Sequence, residues 1–310
     1  MELVNTKEER KNLAAFLCVC IVWGSTYLAI RIGVSAFPPA LFAGFRFLLA
    51  GLVMVIYAKL KGLSFPKGTD VRRLSIVGLL LLVGGNGLVV LASQWVHSGT
   101  TSLIVASMPI FMALIELTIP GSTKIKSKGW LGLILGFSGV VLLVSTSSGT
   151  GAIDVKGAII LIWATFFWSA GSVYSKQFKA SGSMVTHIGV QMLSGGIMLS
   201  LIGLFLGEAS IVNLSLKSIG AILYLALFGS VLAYSCYIYI LTRWPAAKAG
   251  TYAYVNPLVA IFLGFIVLKE PVSLMVILST VIILMGVFLV QTSKIKEVPA
   301  VKVELSPTNK

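Results

Sequence analysis

Charge is scarce in this sequence. Asp, Glu, Lys and Arg make up 11% of its 310 residues, against about 25% in an ordinary soluble domain. Apolar residues reach 57%, and the mean hydropathy is +0.99. So few charges cannot hold a surface in water, which excludes a soluble fold and makes the bilayer the solvent. Acids are scarcer still, 10 against 24 bases, for a net charge of +14. In a soluble protein that excess would suggest a nucleic-acid partner. Here the bases lie between apolar stretches and form no contiguous patch, so no nucleic acid is expected.

Histidine and cysteine are nearly absent. The two histidines, His97 and His187, sit at the ends of apolar stretches. There is no H-E-x-x-H, no G-x-S-x-G and no metal-spaced His/Cys cluster, which argues against an intramembrane enzyme, a metal or a cofactor. Three cysteines, Cys18, Cys20 and Cys236, form no C-x-x-C pair, and they support neither a disulfide framework nor a zinc site. A T-V-G-Y-G filter and a ring of acids are also missing, which sets aside an ion channel.

What the chain does have is apolar runs of membrane length. A hydrocarbon core of ~30 Å takes about 20 helical residues. Spans read near 13–32, 39–60, 74–93, 100–119, 129–146, 157–175, 187–206, 218–241, 248–268 and 273–292. Lys7, Arg10 and Lys11 precede the first run as in a secretory leader. That run has no A-x-A site and continues to Arg31, so it reads as an uncleaved span. An even count puts both termini on one side. Segments on that side hold 19 of the 24 bases, the opposite loops hold three (Lys156, Lys217 and Lys269), and Arg31 and Arg46 lie within or at the end of spans. The positive-inside rule then places both termini in the cytoplasm.

The halves of the chain resemble each other. Trp23-Gly24-Ser25-Thr26-Tyr27 leads to Arg31, and Trp168 leads through Gly171-Ser172-Val173-Tyr174 to Lys176, each base eight after its tryptophan. Pro257 follows Pro109 by 148 residues, and Gly286-Val287 follows Gly139-Val140 by 147. Halves with an odd number of spans insert with opposite orientation, an arrangement that places a solute site at their interface. The expected fold is therefore an all-α membrane protein of ten transmembrane helices in two inverted five-helix repeats. A tail at 1–12 precedes repeats at 13–147 and 148–293, and a second tail covers 294–310.

Polar groups inside hydrocarbon face the bundle interior or a watery path. The candidates are Arg46, Asn86, Gln94, Glu116, Gln191 and Asn256, with tyrosines at 27, 174, 234, 237, 252 and 254. Serines and threonines read as helix-to-helix glue, and Gln191 and His187 as structural. Pro109 and Pro257 fall near mid-span, where a missing N–H frees a carbonyl, and helix breaks in matching positions point to a binding site. Trp23 and Trp168 also lie inside spans, where an indole face can stack on a flat or cationic solute. Trp23, Tyr27, Asn86, Trp168, Tyr234, Tyr252, Tyr254 and Asn256 are the expected solute-binding set. Glu116 is the one acid placed within a span, either carrying a coupling proton or snorkelling to Lys124, Lys126 and Lys128. Arg46 either snorkels outward or turns in toward a carbonyl or an anionic solute group. Gly132-x-x-x-Gly136 serves dimerisation or internal packing, so monomer and homodimer both stay open.

Several of these stretches together resemble the EamA family of the drug/metabolite transporter superfamily, most of all its YedA-type exporters. They are WGSTYLAIRIG (23–33), the Pro-Pro and AGFRFLLAG of the second span (38–51), GGNGLVV (84–90), GSVY (171–174), YLALFGSVLAY (224–234) and YAYVNPLVA (252–260). The similarity runs from about residue 13 to 292. It implies an inner-membrane secondary transporter that exports small organic metabolites, amino-acid-like or aromatic and drug-like, with lipid and solute as its partners. It also implies a central cavity lined mainly by spans 1, 3, 4, 6, 8 and 9. Family repeats carry a glutamate before the last span, matched by Glu270 as a gate residue. Ser122 stands at the corresponding place in the first half, so a symmetric glutamate pair is not carried over.

Overall fold

Hydrocarbon offers no partner to a peptide group, so each apolar run must close its own hydrogen-bond ladder as a helix. The computed structural model describes residues 6–34, 37–96, 101, 104–120, 124–147, 155–212, 215–259, 274–293 and 295–296. Its helices are α1 (Thr6–Val34), α2 (Pro39–Leu60), α3 (Gly68–Ala92), α4 (Met108–Thr118), α5 (Ser127–Ser147), α6 (Val155–Ser175), α7 (Met184–Phe205), α8 (Leu216–Leu241), α9 (Ala246–Gly250, continued by 252–259) and α10 (Leu274–Gln291). By length and composition, seven of them (α1, α2, α3, α6, α7, α8 and α10) are able to cross a membrane, and α4 and α5 carry shorter apolar helices. The single ladder among the described residues is two residues long and antiparallel, pairing Lys124 with Lys296 and Ile125 with Ile295.

Local sequence sets the ends. Pro38 and Pro39 open α2, where a missing N–H costs nothing. Ser183 caps α7 by accepting Thr186 N at 3.2 Å, and Ser215 caps α8 by accepting Ser218 N at 3.1 Å. Gly62 and Gly207 follow α2 and α7 with φ of +61° and +73°, a left-handed turn that glycine adopts without strain.

The main helix pairings recur when the halves are exchanged. α1 lies against α8 as α6 lies against α3, α2 reaches α8 as α7 reaches α3, and α2·α7, α4·α9 and α5·α10 pair with their own counterparts. The counterparts run antiparallel. Along α2 and α7, Gly44 meets Ser200, Gly51 meets Leu193, and Gly203 meets Leu41, so rising numbers on one helix meet falling numbers on the other. Along α5 and α10, Gly132 meets Leu289 and Gly139 meets Ile283 in the same sense. Antiparallel counterparts are what an inverted repeat requires. Gly132 and Gly136 are thus used within the chain: a Cβ on Gly286 would lie 2.4 Å from Gly136 N.

Both third helices of the halves contain a π-helical stretch, Leu79–Gly87 in α3 and Leu225–Leu232 in α8. Such stretches insert a residue into the helical ladder and recur at functional sites. Large apolar side chains such as Leu131, Ile134, Phe205, Leu284 and Phe288 are exposed on the outside of the bundle, while Thr165, Ser169, Ser172 and Gln191 are buried. That is the inverse of a water-soluble surface and suits lipid.

The loops sort into two ends. At one end the Phe16 ring lies 5.7 Å from that of Trp244, Ser183 N donates to Ser64 O at 3.0 Å, Lys176 Nζ donates to Trp244 O, and Gln291 Nε2 donates to Lys248 O at 3.3 Å. At the other end Glu208 accepts Ala40 N at 3.2 Å and Leu41 N at 2.8 Å, and Lys156 Nζ stands 4.7 Å from the Trp95 ring centre.

Candidate functional site

A cavity lies between the halves. Among the described residues, α1 supplies Trp23, Thr26, Tyr27 and Ile30, α2 supplies Arg46 and Phe47, and α3 supplies Leu82, Gly85, Asn86 and Val89. Val105 and Met108 come from the fourth segment, Ala164, Thr165 and Trp168 from α6, Gly229 and Tyr234 from α8, and Tyr252 and Asn256 from the helical stretch after α9. The centre of a water molecule can reach about 70 Å³ of it; one water needs roughly 10–15 Å³ by that measure, so several waters or a compact solute fit. The lining runs toward Ile30 and Val89, about a turn from the ends of α1 and α3, and away from the end that holds Trp244.

Aromatic rings close the cavity on the Trp244 side. The Trp23 ring centre lies 5.4 Å from Trp168, 5.3 Å from Tyr237 and 4.8 Å from Tyr252. Hydrogen bonds lock the stack. Trp23 Nε1 donates to Gly229 O at 2.8 Å, a carbonyl of the α8 π stretch. Trp168 Nε1 donates to Tyr237 Oη at 3.2 Å, and that hydroxyl also meets Ser172 Oγ at 2.5 Å. Tyr234 Oη donates to Gln191 Oε1 at 2.8 Å. Behind that bond a second cavity, about 740 Å³ by the same measure, is lined by Gln191, Lys176, Lys179, His187 and Arg243 among others.

Below the floor, Glu116 joins three segments. It is 2% exposed. Its carboxylate accepts Ala246 N at 2.8 Å and Ala247 N at 3.5 Å, and Lys176 Nζ lies 3.9 Å away. It therefore caps the N-terminus of α9, where free N–H groups and the helix dipole favour an anion. Glu208 does the same for α2 at the opposite end.

Eight of the residues singled out from sequence share the cavity: Trp23, Tyr27, Asn86, Trp168, Tyr234, Tyr252, Asn256 and Arg46. Tyr254 does not. Its hydroxyl donates to Leu133 O at 3.0 Å and its ring packs on Gly136. Residues two apart on a helix point about 200° away from each other, so Tyr252 and Tyr254 cannot both face the cavity. Asn256, with its amide nitrogen turned to the backbone, donates to Tyr252 O at 3.1 Å and Cys20 O at 3.2 Å, tying the ninth segment to α1. Pro109 stands at the start of α4 just after a turn at 106–107, and Pro257 lies beyond a turn at Thr251. Glu270 lies outside the described residues. Sequence reasoning left out Ser230, whose Oγ accepts Arg46 Nε at 2.9 Å, and α2 as a cavity wall. The offset between the halves was the usable signal, because it aligns Gly85-Asn86 in α3 with Ser230-Val231 in α8.

The model of the EamA-like transporter family matches residues 10–145 and 155–292, one match for each half. The chain is 35% identical over 281 residues to the uncharacterized inner membrane transporter YedA of Escherichia coli K12, covering 90% of each. It is 26% identical over 284 residues to the uncharacterized transporter YoaV of Bacillus subtilis, covering 90% of this chain and 96% of that protein. One crystal structure matches with a TM-score of 0.74 at 19% identity, over 91% of this chain and 97% of that one. At that identity it speaks for the fold alone.

Proposed function

Because the chain belongs to the EamA-like transporter family, we propose that it is an inner-membrane secondary transporter exporting small organic metabolites by alternating access. In this reading ten spans form two inverted halves, with both termini cytoplasmic. One observation carries it: a cavity lined by both halves, closed on one side by the Trp23, Trp168, Tyr237 and Tyr252 rings. A second cavity lies behind that floor. Opening the floor requires loss of the Tyr234–Gln191 and Trp168–Tyr237 bonds. Exchange of the two halves' conformations then joins the central cavity to the other end. The broken fourth and ninth segments supply the local freedom for that exchange.

Flux into proteoliposomes tests this. Vesicles with purified protein, preloaded in turn with members of a panel of amino acids, aromatic acids and organic cations, should support saturable counterflow of at least one class. Trp168→Ala, which removes the floor and a cavity wall together, should lower that flux by about tenfold or more. Flux no greater than in protein-free vesicles across the whole panel would end the transporter reading.

A further inference from the structure

The cavity carries charge of one sign. Arg46 is the one charged side chain among its described lining residues, and none of them is a carboxylate. Arg46 is 3% exposed. Its Nε is engaged by Ser230 Oγ at 2.9 Å, and its guanidinium carbon stands 4.7 Å from the Phe47 ring centre. Nη1 meets no acceptor among the described residues. A Cβ at Gly229 would come within 3.1 Å of Nη2, so glycine there leaves room beside the fork. A buried guanidinium with an idle N–H face is costly, and an oxyanion is the partner that its planar fork fits. On the α3 wall Asn86 Oδ1 is buried and meets no donor among the described residues. The two idle groups have opposite hydrogen-bonding sense, one donor and one acceptor. Beyond the floor, Lys179 and Arg243 line the second cavity, so positive charge waits on that side as well.

We propose that the central cavity selects an organic carboxylate: Arg46 Nη1 holds the carboxylate, Asn86 Oδ1 accepts a hydroxyl or ammonium proton of the same solute, and Trp23, Trp168 and Tyr252 pack its apolar body. This rests on the cavity being the solute site and narrows the solute to one class. Organic cations are disfavoured because they would face Arg46 with nothing to offset it.

Binding to purified protein in detergent, followed by ligand-dependent thermal shift, separates the parts with three probes. Phenyllactate carries both charge and donor, phenylpropionate lacks the hydroxyl, and phenyllactamide lacks the charge. Wild type should bind phenyllactate more tightly than phenyllactamide by on the order of tenfold or more, the range of a charge-assisted hydrogen bond. Arg46→Gln should erase that difference while phenyllactamide binding remains. Asn86→Leu should bring phenyllactate down to phenylpropionate and leave the preference for charge. Where Arg46→Gln fails to fold, Arg46→Lys decides: it keeps charge without the fork, and the preference should fall several-fold. Equal binding of acid and amide by wild type, an unchanged preference in the Arg46 variants, or no binding of any of the three would overturn the proposal. Since no flux is measured, such a result leaves the transporter reading to the proteoliposome panel.

Discussion

Glu116 and Glu208 each satisfy N–H groups at the start of a helix from the other half, α9 and α2 respectively. Their partners lie 130 and about 167 residues away along the chain, which is why position alone did not disclose the role. Sequence reads Glu116 as the one acid within a span and offers a coupling proton or the 124–128 lysines as its purpose. The structure buries both glutamates. Glu116→Gln keeps an oxygen for Ala246 N but loses the charge that strengthens it and the attraction of Lys176. A charged hydrogen bond contributes about 1.5–3 kcal/mol and a neutral one about 0.5–1.5, so the variant should lose about 1–2 kcal/mol, read as a lower thermal midpoint in detergent. Glu116→Ala, which orphans two N–H groups, should lose more. Protonating Glu116 would take an acceptor from the cap. Uptake driven by an imposed pH gradient should therefore respond equally in wild type and Glu116→Gln. Loss of the gradient response with counterflow intact would make Glu116 the proton carrier after all.

At the scale of elements, glycine decides how closely counterpart helices approach. In a bilayer lipid tails are as apolar as leucine, so association depends on close packing of small residues. Gly196 of α7 is the test case: a Cβ there would lie 2.7 Å from Leu48 N and 3.1 Å from Gly44 O, backbone atoms of α2 that cannot step aside. Gly196→Val should cost about 1–3 kcal/mol through overpacking and lower the thermal midpoint accordingly. Gly220→Val in α8 is the control, because a Cβ there meets nothing within 4 Å. It should leave the stability within about 0.5 kcal/mol of wild type, and equal losses in both variants would remove the seam from the account. Hydropathy alone marks the apolar runs, seven of which form helices long enough to cross a membrane among the described residues. It could not place the π stretches of α3 and α8, whose extra residue leaves no mark on an apolar run. Small residues aligned between them, Gly84 with Gly229 and Gly85 with Ser230, become legible only when the two halves are set side by side.

For the molecule as a whole, two independent quantities sort the same loops. Lysine and arginine put 19 bases on one side and three on the other. Geometry joins the loop at 61–67 to that at 176–183, the Lys176 region to Trp244, and residues 124–125 to 295–296. It separately joins the start of α2 to Glu208, and Trp95 to Lys156. Every basic-side segment with a described cross-link is linked to another basic-side segment, and none to the sparse side. By the positive-inside rule the basic side is the one expected in the cytoplasm. Reporters that are active on one side of the membrane only should therefore read cytoplasmic when fused after Lys310 or inserted in the 121–128 loop. An insertion in the 147–154 loop should read outside. A cysteine at Val89, on the cavity wall toward the sparse end, should react with a small impermeant thiol reagent added from outside in the state seen here. One at Phe178, on the basic side, should react only when the reagent reaches the cytoplasmic face. If any reporter reads from the wrong side the ten-span topology fails, and if Val89→Cys reacts from the cytoplasmic face alone the cavity opens opposite to the way its lining indicates.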